Sequence, residues 1–132
     1  EAVVIKNPEL AQDFRYLIKQ NGGMLAKGRL LGLQFDALFT DGLYQEISAH
    51  AIAMAEKLRE AFTAKGYTYL APNRTNQIFV IVPDAHLAKI SEQFECSYDQ
   101  RIDATHSCVR FCTGWATREE NVDALIRCVE KL

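Results

Sequence analysis

No run of apolar residues approaches the roughly 20 that a membrane helix needs, so no membrane partner is expected. Neither sign of charge dominates: 15 Lys and Arg face 17 Asp and Glu, and there is no basic block or acidic tail. That balance argues against nucleic acid as a partner. Cysteines stand at 96, 108, 112 and 128 without a Cys-x-x-Cys pair, and His50, His86 and His106 are scattered. Such spacing excludes an ordinary zinc site. Free, buried thiols in a reducing cytoplasm are the expectation. No charged-then-apolar stretch of the secretory kind argues otherwise. Proline occurs only three times, and no Pro-, Gly- or Ser-rich linker, repeat or low-complexity stretch interrupts the chain. The 132 residues, 48% of them apolar, fit one domain with a core.

Several chemistries are missing too. The glycine-rich run Gly22-Gly23-Met24-Leu25-Ala26-Lys27-Gly28-Arg29 lacks the Gly-Lys-Ser/Thr ending of a P-loop. No nucleophile stands beside an evident base, and no carboxylates pair at a distinctive spacing. The chain does not look able to run a reaction alone, and no catalytic residue is assigned within it.

The elements present alternate in a recognisable order. Ala2-Val3-Val4-Ile5 reads as a strand already in progress. Asn7-Pro8 opens a helix with a capping side chain and proline in the first turn, and Gly22-Gly23 ends it. Met24 to Phe39 is apolar on most sides, as a helix covered on two sides would be. Leu43, Ile47, Ala51, Met54, Leu58 and Phe62 step by three and four, the clearest amphipathic helix, ending at Lys65-Gly66. His50 flanks that stripe with no evident task. Strands come next at 67–70, 77–82 (stopped by Pro83), 96–98 and 107–115, with a helix capped by Asp84 between the second and third. Thr117-Arg118-Glu119-Glu120 forms a capping box for a last helix. The expected fold is α+β: a small, mostly antiparallel sheet of three to four strands packed with helices.

Cations carry what chemistry there is. In Ser107–Trp115, Val109 and Phe111 alternate with Arg110, giving an apolar face and one cation on the other, shared by Cys108 and Cys112. Burying an unpaired charge costs on the order of several kcal/mol. Arg110 therefore pairs with a structural carboxylate, snorkels to water, or faces a cavity that receives an anion. Lys27 and Arg29 either help the amides of a helix starting near Gly23 to hold a phosphate, or are solvated cations at a helix corner.

Three motifs, in order, resemble the low-specificity threonine aldolases and related β-eliminating lyases. They are Phe14-Arg15-Tyr16-Leu17-Ile18-Lys19-Gln20-Asn21-Gly22-Gly23-Met24-Leu25-Ala26-Lys27-Gly28-Arg29, running on to Phe35; Thr75-Asn76-Gln77-Ile78-Phe79; and Val109-Arg110-Phe111-Cys112-Thr113-Gly114-Trp115-Ala116-Thr117. The resemblance implies the C-terminal small domain of an enzyme with the aspartate-aminotransferase fold that uses pyridoxal phosphate. It implies a helical linker and dimer-interface region over 8–65 and an α+β layer over 66–132. It further implies that Arg110 grips the α-carboxylate of a small amino-acid substrate, and that Lys27, Arg29 and Lys19 approach the cofactor phosphate. Leu25 departs from the arginine that many relatives carry directly after Gly-Met. The Schiff-base lysine and the ring-stacking residue belong to an N-terminal large domain not represented here, so the isolated chain is expected to be inactive and without cofactor. The full-length enzyme, a homodimer or homotetramer, would cleave threonine or a similar β-hydroxy amino acid to glycine and an aldehyde. A β-eliminating lyase would use the same arginine. An autonomous α+β module for a small carboxylate stands as the alternative.

Overall fold

A computed structural model describes residues 3–132. The chain divides after Asp41, and each of the two units is built in its own way.

In the first unit, Asn7 caps helix α1 (Pro8–Ala11) by accepting the Glu9 N–H at 2.9 Å, with Pro8 in the first turn. The helix lasts one turn. Asp13 takes a left-handed φ of 55° before helix α2 (Phe14–Gln20) begins, so the single helix expected up to Gly22 is two pieces. Neither piece buries a residue, and short helices without tertiary support gain little from continuing. Gly22, at φ 76°, ends α2. Its N–H reaches Lys19 O at 3.1 Å and that of Gly23 reaches Ile18 O at 2.8 Å, the two bonds of a Schellman turn. The expected Met24–Phe39 helix starts later than the apolar pattern does, as helix α3 (Arg29–Phe39). Gly23 and Gly28 bracket the delayed start, and glycine resists helix by about 1 kcal/mol. Leu30, Leu31, Leu33 and Phe39 on α3 are exposed. Of the expected opening strand, Ala2 lies outside the described residues, and Val3–Ile5 are irregular. No strand among the described residues takes up their backbone groups.

The second unit holds the core. Helix α4 (Leu43–Ala64) buries Ala51, Met54, Ala55, Leu58 and Phe62 at the predicted spacing. It ends at Gly66, φ 81°, where Gly66 N–H meets Thr63 O and Tyr67 N–H meets Phe62 O, a second Schellman turn. After it come strands β1 (Thr68–Tyr69) and β2 (Gln77–Pro83), helix α5 (Asp84–Ser91), strands β3 (Ser97–Arg101) and β4 (His106–Cys112) and helix α6 (Glu119–Glu130). The sheet runs β1-β2-β4-β3, every pair antiparallel.

Register decides which residues share a face. Ile78 pairs with Phe111, Val80 with Val109 and Val82 with Ser107, and all six are buried. The helices cover this face: Met54, Leu58 and Phe62 from α4, Ile90 from α5, and Val122, Leu125 and Val129 from α6 join the sheet residues in one cluster. Phe62 lies at its centre, 5.4 Å from the Tyr67 ring and 5.5 Å from Phe111. The other face carries Phe79 opposite Arg110, Ile81 opposite Cys108 and Gln77 opposite Cys112.

Two expected caps are not made. Asp84 is the first residue of α5 and Pro83 occupies the cap; the Asp84 carboxylate instead accepts from Ser107 Oγ at 2.8 Å and from Arg101. Thr117 does not cap α6, whose N-cap is Arg118 without a side-chain bond. The Thr117 hydroxyl accepts the Gly114 N–H at 2.8 Å. In both cases a tertiary partner outcompetes a local turn. β2 does end at Pro83, which is its last residue and pairs with His106.

Candidate functional site

Strand β4 aims Arg110 away from the helix-covered face, in register with Phe79 on one side and Ser97 on the other. Its guanidinium carbon lies 6.0 Å from the centre of the Phe79 ring. The side chain is half-buried. Its Nε is shielded from water and has no hydrogen-bond partner. Among the described residues no carboxylate pairs with it. Of the structural explanations open from the sequence, an internal ion pair therefore does not describe it among the described residues, while the terminal guanidinium nitrogens keep access to water.

Arg110 lines an open cleft of about 520 Å³. Leu58 of α4, Phe111 of β4 and Val122 and Leu125 of α6, all from the helix-covered face, give it an apolar lining; Glu95, Thr113, Thr117 and Asn121 add polar groups. Such a mixture suits a small ligand with one anionic end. Cys96 and Cys112 also line it. All four cysteines are free, but only Cys108 is fully buried and Cys112 is exposed, so the expectation of buried thiols holds in part. Burial pushes the Cys96 and Cys108 thiols up, away from reactivity. Among the described residues no cluster of His, Cys, Asp or Glu suits a metal, and no helix is long and apolar enough to cross a membrane.

Lys19, Lys27 and Arg29 lie in the first unit, Arg110 in the second. All three are exposed. Lys27 lies in the turn before α3 and Arg29 is the first residue of that helix, so the free amides expected near Gly23 stand instead near Gly28. No lysine lines the cleft with Arg110. A pyridoxal phosphate needs a lysine to hold its aldehyde carbon and a covered face for its ring, and the described residues do not supply them around this cleft.

The pattern of apolar residues missed a set of polar side chains that hold the end of β4. Thr113, 5% exposed, donates its hydroxyl to Ala51 O of α4 at 2.6 Å. Asn76 and Thr113 bond three times: Thr113 N–H to Asn76 O at 3.0 Å, Asn76 Nδ2 to Thr113 O at 2.6 Å, and the Thr113 hydroxyl, more weakly, to Asn76 O at 3.3 Å. His50, which read as a helix-flank residue without a task, bonds Thr117 O through Nε2 at 2.8 Å. Gly114 and Thr117 close the turn between them, with Thr117 N–H on Gly114 O at 3.0 Å. One signal was present: Thr75-Asn76 directly precedes a strand, where a polar pair has reason to bond locally.

No protein-family model matches the chain. The chain is 28% identical over 126 residues to the low-specificity L-threonine aldolase of a Pseudomonas strain, a match spanning 95% of this chain and 36% of that enzyme. Its fold matches the threonine aldolase of Leishmania major with a TM-score of 0.79 and 33% identity, over 89% of this chain and 34% of that one. The chain thus spans about a third of the length of these relatives.

Proposed function

We propose that this chain is the part of a threonine aldolase-like carbon–carbon lyase that supplies the grip on the substrate's α-carboxylate, through Arg110. The reading is supported by the likeness to threonine aldolases over nearly the whole chain. The observation that carries it is the state of Arg110: half-buried, on the cleft, with no carboxylate partner among the described residues. A planar guanidinium binds a carboxylate through two parallel N–H···O bonds, which fixes orientation as well as position. Pyridoxal phosphate, when bound, would withdraw electrons from the amino acid's α-carbon; its lysine would come from the two thirds of such an enzyme that lie outside this chain. Lys27, Arg29 and Lys19 are the candidates here for contact with its phosphate. A homo-oligomeric, cytoplasmic enzyme acting on threonine or a related β-hydroxy amino acid completes the reading.

Two measurements test it. The 132-residue chain should bind glycine, followed by shifts of the Arg110 Nε–H resonance in ¹⁵N-labelled protein, and should release no aldehyde from L-threonine. Within the complete enzyme, Arg110→Lys should raise KM for the amino acid at least about tenfold, the loss of one charge-assisted bond, with cofactor absorbance retained. Turnover of threonine by the chain alone, or unchanged kinetics of Arg110→Lys, would refute the assignment.

A further inference from the structure

Arg110 is held on one side by its strand and on no side by an ion pair. Its unpartnered Nε means that nothing local fixes the guanidinium by hydrogen bonding. Apart from the neighbouring Phe79 ring, its aim then comes from the backbone that carries it. The strand ends at Cys112, and without an anchor the residues beyond it would be free to fray. The anchors are the polar contacts on Thr113 and Thr117. Both attach to consecutive residues of α4, a helix with five residues in the core: Thr113 to the carbonyl of Ala51, Thr117 to the side chain of His50. Thr113 and Thr117 also line the cleft themselves.

We infer that Thr113 and His50 are positioning residues, which lock the end of β4 to α4 and thereby set the direction of the Arg110 side chain. The inference rests on the reading of Arg110 as the carboxylate grip, and it deepens that reading. The Thr113 hydroxyl is nearly sealed from water and donates to a mid-helix carbonyl already used by the helix ladder. The helix does not require this bond. The strand end does, because Thr113 lies one residue past Cys112, the last residue of β4. His50 acts on the far side of the turn. To bond a carbonyl oxygen, its Nε2 must carry the proton, in the neutral tautomer or the charged ring. The two locks bracket Gly114–Ala116, so releasing either one frees the same segment. Asn76 completes the device by extending the β2–β4 pairing one step with its side-chain amide in place of a backbone N–H.

The test uses the ¹⁵N-labelled 132-residue chain and reads two things: the heteronuclear NOE of the Arg110 Nε–H, identified by its loss in Arg110→Lys, and the dissociation constant for glycine. Thr113→Val keeps shape and removes the hydroxyl; Thr113→Ser restores it. His50→Ala removes the second lock; His50→Gln keeps a donor of similar reach. The removals should turn a rigid Arg110 side chain into a mobile one and weaken glycine binding about tenfold, the cost of a misplaced binding group. Thr113→Ser and His50→Gln should return both readings to within about twofold of the parent. A purely structural role would lower the melting temperature in the removals and leave the Arg110 NOE unchanged; that result, in Thr113→Val and His50→Ala alike, overturns the inference. Should Thr113→Val fail to fold, His50→Ala decides alone. If the NOE falls and glycine affinity does not change with it, or if the parent chain does not bind glycine, the carboxylate assignment of Arg110 fails while the lock stands.

Discussion

A cation kept half out of water without a partner is a local cost, and Arg110 carries it. A shielded donor with no acceptor destabilises a fold by about 1–3 kcal/mol, so a residue of similar length and no charge should fold better. Arg110→Met is expected to raise the melting temperature by about 3 °C, given the shift that about 1 kcal/mol produces in a domain of this size, while abolishing glycine binding. Calorimetry of the two proteins checks this, and a lower melting temperature for Arg110→Met would mean that the guanidinium serves the fold. Asp103 offers a contrast. The Thr105 backbone N–H, followed by the His106 side chain, holds its carboxyl at about 2, below the ordinary 3.8. Arg101 and Ser107 lower Asp84, and Lys57 lowers Glu119. A group whose folded value is depressed contributes stability above its unfolded value and loses it as pH falls through the folded one. Stability should therefore decline between pH 3.8 and about 2, and Asp103→Asn should flatten that decline. Thermal melts across the window read it out, and identical slopes for Asp103→Asn and the parent would rule Asp103 out as a contributor.

At the scale of elements, α4 is the test of how far local pattern carries. Its apolar step of three and four put Leu43, Ile47, Ala51, Met54, Leu58 and Phe62 on one line; the last four are buried, Ile47 is half-buried and Leu43, in the first turn, is exposed. Strand β2 alternates buried and half-buried residues as a period of two requires. Both were legible because a single repeating force, burial of one face, fixes them. The end of α4 was legible for a different reason: Gly66 adopts a φ of 81°, where a Cβ is disfavoured. Gly66→Ala should cost about 1 kcal/mol and Phe62→Ala about 3–5 kcal/mol, the range for a large ring removed from a full core. Denaturant unfolding ranks the two; a Gly66→Ala loss equal to that of Phe62→Ala would contradict the cap argument. Where expectation failed, two options of similar local energy were decided by a distant partner. Asp84 could cap α5 or meet Arg101 and Ser107. Thr117 could cap α6 or close the turn with Gly114. His50 could idle or hold Thr117. Arg110 itself stood out early, since a charge inside an apolar strand is conspicuous. Its anchors did not, since threonine and asparagine beside a strand are common and only the fold brings residue 51 to residue 113.

Across the molecule, the core is drawn from one unit alone. Every residue of the buried cluster lies between Met54 and Val129, within Gly42–Leu132, and α1, α2 and α3 bury none of their own residues. The free energy of folding scales with buried apolar area, so the second unit should fold without the first. Removal of residues 1–41 is expected to leave the melting temperature within about 3 °C of the parent, a shift below 1 kcal/mol. A fall of about 10 °C or more would show that the first unit stabilises the second. The first unit poses the opposite problem. Leu30, Leu31, Leu33 and Phe39 on one eleven-residue helix are all exposed, and a helix apolar on most sides is stable in water only when something covers it. With these side chains exposed, the parent should bind a hydrophobic dye such as anilinonaphthalene sulfonate. Leu30→Glu with Leu33→Glu should remove most of that fluorescence, and so should deletion of residues 1–41, with the melting temperature of the second unit unmoved. Dye bound equally by all three proteins would place the apolar surface elsewhere, and α3 would then need no cover from outside the chain.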